Sequence, residues 1–291
     1  MYETHFGFRE LPFTITPDTS FFLAQASHHE ALNTLLVAAR SGEGFIKVIG
    51  EVGTGKTLLC RKFLASLAAA DFLTAYILNP YLEPLTLLRA IADELHVNVE
   101  PRADQHQLLK ALTHFLAESY AGGRRVILCL DEAQAMPLET LESLRLLTNL
   151  ETERRKLLQV VLFGQPELDA RLATPSIRQL RQRISFACQL RPLDVTEVDY
   201  YLAHRLTVAG YRGPRLFAPG AVRMLHRRAQ GVPRLVNILA HKALMAAFGA
   251  GLHQVDTWLI RQAADDTESV MYGGRLRRWL PLWLAPTRPR V

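Results

Sequence analysis

The sequence predicts an α/β fold, a parallel five-stranded sheet between layers of helices, followed by a small C-terminal helical domain. Two observations carry this. Four short, mainly apolar, strand-like runs (Phe45–Ile49, Leu73–Leu78, Val126–Leu130 and Leu158–Phe163) are separated by segments of helical period, and Ile184–Leu190 alternates as a fifth strand. After Leu193 the strand signal stops and only helical patterns follow.

The first strand ends in a glycine-rich turn that opens a helix over Lys56–Ala69. Helices are expected at Pro84–Leu95 and Gln105–Tyr120, between the second and third strands. Leu141, Leu144, Leu147 and Leu150 give Leu138–Leu150 a helical face. Thr196–Val208, Ala218–Arg228 and Val232–Phe248 are the helices of the last domain, with Pro219, Gly231 and Pro233 at starts and breaks. The expected division is an N-terminal segment 1–44, a core 45–192, a helical domain 193–268 and a tail 269–291.

Composition is ordinary for a globular protein, with 49% hydrophobic and 21% charged residues. The formal charge is +6, but Arg275, Arg277, Arg278, Arg288 and Arg290 supply five of those charges, and no acid follows Glu268. Without them the body carries +1, which is no general surface for polyanions, so DNA is not an expected partner. Cys60, Cys129 and Cys188 sit in apolar runs without metal-ligand spacing and are expected as buried free thiols of a reducing compartment. Tyr2–Arg9 has no apolar signal-peptide core, and Leu235–Leu252 is interrupted by Asn237, His241 and Lys242. The expected location is the cytoplasm. The tail, with Trp279 and Trp283 among arginines, is a candidate peripheral contact with anionic lipid at the inner membrane. Pro281, Pro286 and Pro289 preclude a long amphipathic helix, which leaves an unanchored terminus as the alternative.

The segment Gly50-Glu51-Val52-Gly53-Thr54-Gly55-Lys56-Thr57 fits the pattern G-x-x-x-x-G-K-[ST], for which this composition predicts roughly 0.002 chance matches. Glycines let backbone N–H groups wrap phosphates, Lys56 reaches the outer phosphates, and the Thr57 hydroxyl holds Mg²⁺. Gly50 through Thr57, with Leu58 after it, are the candidate ATP-binding residues. Asp131 and Glu132 follow the third strand. Asp131 is expected to join Thr57 at the metal, directly or through water, and Glu132 to orient and deprotonate the attacking water. Alone, such an acidic pair reads equally as a helix cap; beside the phosphate loop it reads as catalytic.

Charge developing on the transferred phosphoryl group calls for further polar and cationic groups. Gln165, after the fourth strand, is either such a group or a turn residue before Pro166. Arg178, Arg181 and Arg183 lack nearby acids and are either a solvated helix face or the source of a finger reaching a neighbouring subunit. Gly231-Val232-Pro233-Arg234 opens the last helix and offers Arg234 as a residue coupling hydrolysis to movement of a lid.

With these residues assembled, the chain resembles AAA+ ATPases of the secretion and pilus-assembly group typified by ExeA, general secretion pathway protein A. The resemblance covers residues 1–268. Besides the two nucleotide motifs it rests on Phe6-Gly7-Phe8, Pro12-Phe13, Thr16-Pro17-Asp18 and His28–Leu32, then Asn149-Leu150-Glu151-Thr152, Gly164-Gln165-Pro166-Glu167-Leu168 and Gly231–Arg234. It implies an AAA+ P-loop core with a helical lid, Gln165 as sensor 1, Arg183 as the arginine finger and Arg234 as sensor 2. It also implies that Asn79 restrains the catalytic glutamate. The Phe8–Phe13 segment is expected on the adenine side, with core packing of the same aromatics as the alternative.

Relatives of this kind continue into a membrane helix and a periplasmic peptidoglycan-binding part. Peptidoglycan binding is therefore not carried over, and a stand-alone ATPase of the mannose-sensitive haemagglutinin (MSHA) pilus type is the expected variant. The function implied is Mg-ATP hydrolysis in a ring or partial ring that drives assembly of a type IV pilus or a type II secretion-like complex. The alternatives are a DNA-associated AAA+ regulator, a transposition target selector or initiator, and a nucleotide switch with little turnover. An initiator's winged helix has no room after residue 268, and an intact Glu132 argues against the switch.

Overall fold

A computed structural model describes residues 2–16, 18–23, 25–148 and 156–267. The Asn149–Thr152 motif, Pro17 and the tail 269–291 lie outside the described residues. The chain opens with α1 (Glu3–Phe6), α2 (Ala26–Ser41), β1 (Phe45–Gly50), α3 (Lys56–Ala65), β2 (Phe72–Ile77), α4 (Pro84–Glu94) and α5 (Gln105–Ala121). Then come β3 (Arg125–Leu130), α6 (Leu138–Thr148), β4 (Leu158–Gly164), α7 (Glu167–Leu172), α8 (Arg178–Gln182) and β5 (Ile184–Leu190). The last helices are α9 (Val195–Val208), α10 (Pro219–Ala229), α11 (Pro233–Gly249) and α12 (Thr257–Asp265).

These elements fall into two compact units, one of Pro17–Arg191 and one joining the residues up to Thr16 to those from Pro192 onward. In the first, five parallel strands are ordered β2-β3-β4-β1-β5. Successive residues of a strand point to opposite faces, so the apolar residues of a run feed two cores. Val126, Leu128 and Leu130 of β3 join Leu158, Val160 and Leu162 of β4 under helices α4 to α6. Ile127, Cys129, Val161 and Phe163 face the other way, against Leu35 of α2 and Leu59 and Phe63 of α3. Parallel β1 is buried on both sides except at half-buried Lys47, which is why its run is otherwise apolar and does not alternate. Cys60 and Cys129 are buried and free as expected; Cys188, on the edge strand β5, is half-buried.

The second unit packs α9 to α12 together with the N-terminal residues. Tyr2, Phe6, Phe8 and Phe13 are buried there. Phe8 lies against Tyr211, and Phe13 meets Phe217 edge-on at 5.9 Å. The expected 1–44 segment is thus divided between the units, since α2 packs on the sheet. With only 7% and 2% of their surface exposed, Phe8 and Phe13 belong to a hydrophobic core, the packing the sequence offered as the alternative. The physical reason is that a cluster of aromatics gains more from mutual burial than from lining an open cleft.

Gly231 holds a tight approach within this unit. Its φ is +71°, and a Cβ there would sit 2.1 Å from the Leu193 carbonyl oxygen. The Leu193 N–H donates to Gly231 O at 2.9 Å, so the backbones touch and a side chain has no place.

Helices α2 and α12 have no counterpart in the expectations above. Helix α12 is nonetheless capped by Asp256, which accepts from the N–H groups of Trp258 and Leu259, a start signal present in the sequence. Helix α2 has no side-chain cap, and its run of His28, His29, Glu30, Asn33 and Thr34 obscures the apolar stripe of Ala31, Leu35 and Ala38. Among the described residues no helix is long and apolar enough to cross a membrane.

Candidate nucleotide site

Strand β1 ends at Gly50 and α3 begins at Lys56, so residues 51–55 form a loop beyond the carboxyl end of a central strand. Gly53 and Gly55 take φ of 81° and 94°, conformations that turn the loop around and that a side chain disfavours. At Gly50 a Cβ would lie 2.7 Å from Thr54 Oγ1 and 3.1 Å from Leu190 Cβ. Thr54 is buried and braces the loop, its hydroxyl donating to Glu51 O at 2.8 Å. Glu51 and Val52 form the exposed tip of the loop, whereas Leu58 is half-buried in the first turn of α3. The N-terminus of α3 presents backbone N–H groups to the space inside the loop, an arrangement suited to phosphate.

Lys56 is 5% exposed, and its ammonium donates to Gly50 O at 2.8 Å and Glu51 O at 3.0 Å. Burial lowers its pKa, and the carboxylates of Glu132, Asp131, Glu51 and Glu167 oppose that shift. The Thr57 hydroxyl donates 2.6 Å to Oδ2 of Asp131, whose side chain is fully buried. Tyr76 on β2 donates to the same oxygen at 3.3 Å, and the Glu132 N–H donates to Asp131 Oδ1 at 2.9 Å. Burial, then the Asp131 charge, pushes the Tyr76 phenol above its ordinary range, which keeps it a donor.

A hydroxyl and a carboxylate oxygen side by side form a hard-oxygen pair, the donor set Mg²⁺ takes from protein while phosphate oxygens and water complete its shell. A buried lysine, a glycine loop at a helix N-terminus and this oxygen pair together fit Mg-nucleotide.

Glu132 follows Asp131 with φ of 51°, left-handed for a non-glycine residue and of the kind that concentrates at functional sites. Its Oε2 accepts from Gln165 Nε2 at 3.0 Å and from Gln134 Nε2. Gln165 thus stands beside Glu132 at the end of β4, as a polar group of the site rather than a turn residue alone. Lys56, Thr57, Asp131, Glu132 and Gln165 converge beyond the carboxyl ends of the central strands β3, β4 and β1.

Other expected residues stand apart. Asn79 is exposed in the loop after β2, and its Oδ1 accepts from the Tyr81 N–H at 3.3 Å. The amides on Glu132 come from Gln134 and Gln165 instead, so the restraint assigned to Asn79 belongs to other side chains here. Arg178 and Arg181 are exposed on α8, and half-buried Arg183 donates to Arg145 O at 3.4 Å. Because β1 and β5 run parallel with Phe45 beside Ile184 and Gly50 beside Leu190, Arg183 lies at the opposite end of the strands from the P-loop. At about 3.3 Å per residue that separation is roughly 20 Å, beyond the span of its side chain. Arg234 is exposed in the first turn of α11, in the helical unit.

Three residues of the site escaped the sequence reading: Tyr76, Gln134 and His28. His28 on α2 is buried, and its Nε2 stands 2.8 Å from Thr54 O. A carbonyl only accepts, so Nε2 carries the proton and the ring holds the P-loop from outside. Gln134 stands two residues after Glu132, an offset visible in the sequence, but a glutamine there carries no charge or periodicity to single it out.

A parallel sheet in this order with a P-loop after β1, an Asp-Glu pair after β3 and a polar residue after β4 defines an AAA+ nucleotide-binding protein. The AAA domain family matches residues 39–172. Within it the kinship is of the general secretion pathway protein A kind. The chain is 42% identical over 285 residues to General secretion pathway protein A of Aeromonas hydrophila, covering 98% of this chain and 52% of that protein. It therefore spans about half the length of that relative. Among solved structures, Cdc6p of Pyrobaculum aerophilum is similar with a TM-score of 0.64 at 20% identity, over 89% of this chain and 74% of that one. The Aeropyrum pernix ORC2 protein in its ADPNP-ADP complexes reaches 0.63 at 19% identity, over 85% and 68%. At such identities the likeness is one of fold.

Proposed function

We propose that the chain hydrolyses Mg-ATP and uses the energy to drive assembly of a secretion-like or MSHA-like type IV pilus complex at the inner membrane. The observation that carries the hydrolysis is the convergence of Thr57, Asp131, Glu132 and Gln165 beside buried Lys56. The likeness to General secretion pathway protein A supports the biological setting.

The loop N–H groups and Lys56 bind the phosphates and offset their charge, while Thr57 and Asp131 would hold Mg²⁺, which when bound would supply further neutralisation of phosphate charge. Glu132 orients the attacking water and takes its proton, and Gln165 positions that water against the γ-phosphate. ATP is bound where subunits of a ring or partial ring meet, and Arg183 serves a neighbour's nucleotide. Its separation from its own P-loop supports that role. Arg234 acts as the lid's arginine, residues 45–192 are the core and 193–268 the helical lid domain, and the tail 269–291 touches the inner membrane from the cytoplasm.

The test has two parts. Lys56→Ala is expected to abolish nucleotide binding, and Glu132→Gln to retain ATP while losing at least about 100-fold in turnover, as removal of a general base does. Full turnover by the glutamate variant rejects the mechanism. Cross-linked Glu132→Gln, recovered from its native cells with ATP present, is expected to bring inner-membrane pilus or secretion components. Recovery of DNA with a transposase or replication factor instead overturns the setting and leaves the ATPase.

A further inference from the structure

Two amides converge on one oxygen of Glu132. Gln165 Nε2 donates to Oε2 at 3.0 Å, and Gln134 Nε2 donates to the same atom. The other end of the Gln134 amide, Oε1, accepts the backbone N–H of Gln165 at 3.0 Å. A carboxylate only accepts and a backbone N–H only donates, so both partners demand the same orientation of the Gln134 amide. Gln134 lies in the 3₁₀ turn Ala133–Ala135 that follows Glu132, whereas Gln165 follows the last residue of β4. One side chain therefore ties the end of β3 to the end of β4.

We infer that Gln134 is a positioning residue for hydrolysis, holding the Glu132 carboxylate and the Gln165 peptide in one register so that base and water-positioning amide act as a unit. This rests on the hydrolysis proposed above. The left-handed backbone at Glu132 gives it a task, since a sparsely populated conformation persists only where the surroundings over-determine it. The Asp131 carboxylate fixes the Glu132 N–H, and Gln134 and Gln165 fix the other end of the residue. Gln134 also makes the two strand ends report to each other: a shift of the β4 tip that moves Gln165 moves the base with it.

The experiment uses the full chain with Gln134→Met, which keeps the volume and removes both bonds, and Gln134→Glu, which keeps an acceptor for the Gln165 N–H and removes the donor to Glu132. Hydrogen exchange of the Gln165 amide in the nucleotide-free protein is expected to speed up about tenfold in Gln134→Met, the scale of one lost hydrogen bond, and to stay near wild type in Gln134→Glu. Turnover of ATP is expected to fall at least about tenfold in both, with ATP affinity within about twofold of wild type, the split that marks an interaction acting on the chemical step. Unchanged exchange or wild-type kcat in Gln134→Met overturns the role. Should that variant fail to fold, wild-type kcat in Gln134→Glu overturns it equally. A wild-type protein that binds ATP without hydrolysing it removes the hydrolysis reading and this role together, whereas active wild type with equally active variants removes this role alone.

Discussion

The hydroxyl of Thr57 donates a 2.6 Å hydrogen bond to the buried carboxylate of Asp131, joining the first turn of α3 to the end of β3 across 74 residues of sequence. The pair brings two hard oxygens to one point between central strands. A short O–H···O⁻ bond of this kind is charge-assisted, and it satisfies a carboxylate that would otherwise be costly to bury.

On the proposed reading Thr57→Ala removes both a metal ligand and a donor to Asp131, while Thr57→Ser keeps both. Thermal unfolding with ATP, in magnesium and in EDTA, is the measurement. For wild type and Thr57→Ser the added stabilisation is expected to be larger with magnesium. For Thr57→Ala the two curves are expected to coincide, with the free protein destabilised by about 1–3 kcal/mol for the lost donor. A magnesium-dependent shift that survives in Thr57→Ala would show that the hydroxyl does not hold the metal.

Arg183 precedes β5, some 20 Å along the strands from its own P-loop. Arg183→Ala is expected to lower ATPase activity by about 10³-fold, as loss of a finger does. Mixing it with inactive Lys56→Ala subunits is expected to restore part of that activity, because a sound P-loop then meets a sound arginine across the junction. No recovery at any mixing ratio would place the finger elsewhere.

The helical unit is expected to weaken in acid. Tyr2 OH lies 2.7 Å from Nδ1 of His241, and burial lowers the pKa of His241 while Glu3 pulls it back up. Burial, then Arg205, lowers that of His204 as well. Below an ordinary histidine pKa of about 6.5 the unfolded chain binds protons that the folded chain resists, so stability is full above that pH and falls as pH drops toward the folded values. Guanidinium midpoints from pH 7.5 to 5.5 should fall for wild type and fall less for His241→Gln, which keeps an acceptor for Tyr2. Identical slopes would clear His241 of the effect.

Much of this protein was legible in the chain alone, and the reason is local. The P-loop is a contiguous string, and its chemistry is carried by backbone N–H groups that a glycine pattern announces. Asp131 and Glu132 follow a buried strand whose hydrophobicity is its own signature. The five strands and the long helices from α3 to α11 follow from period and caps. A pattern within one element is enough for such features, because backbone sterics and one-sided burial act over a few residues.

What the tertiary structure decided involves residues far apart in sequence. The aromatics near the N-terminus carry no sign of their partners in the sequence, and Phe13 finds its own, Phe217, more than 200 positions away. His28 acquired a role only when α2 delivered it to Thr54 O, and Tyr76 only when β2 was laid beside β3. Gln134 shares that history: its neighbour Glu132 is two residues away, but its second partner, Gln165, is 31 away and reaches it because β3 and β4 pair. Side chains that act by hydrogen bonding across elements leave no period in the sequence, and strand order, which only the folded sheet sets, determines which of them meet.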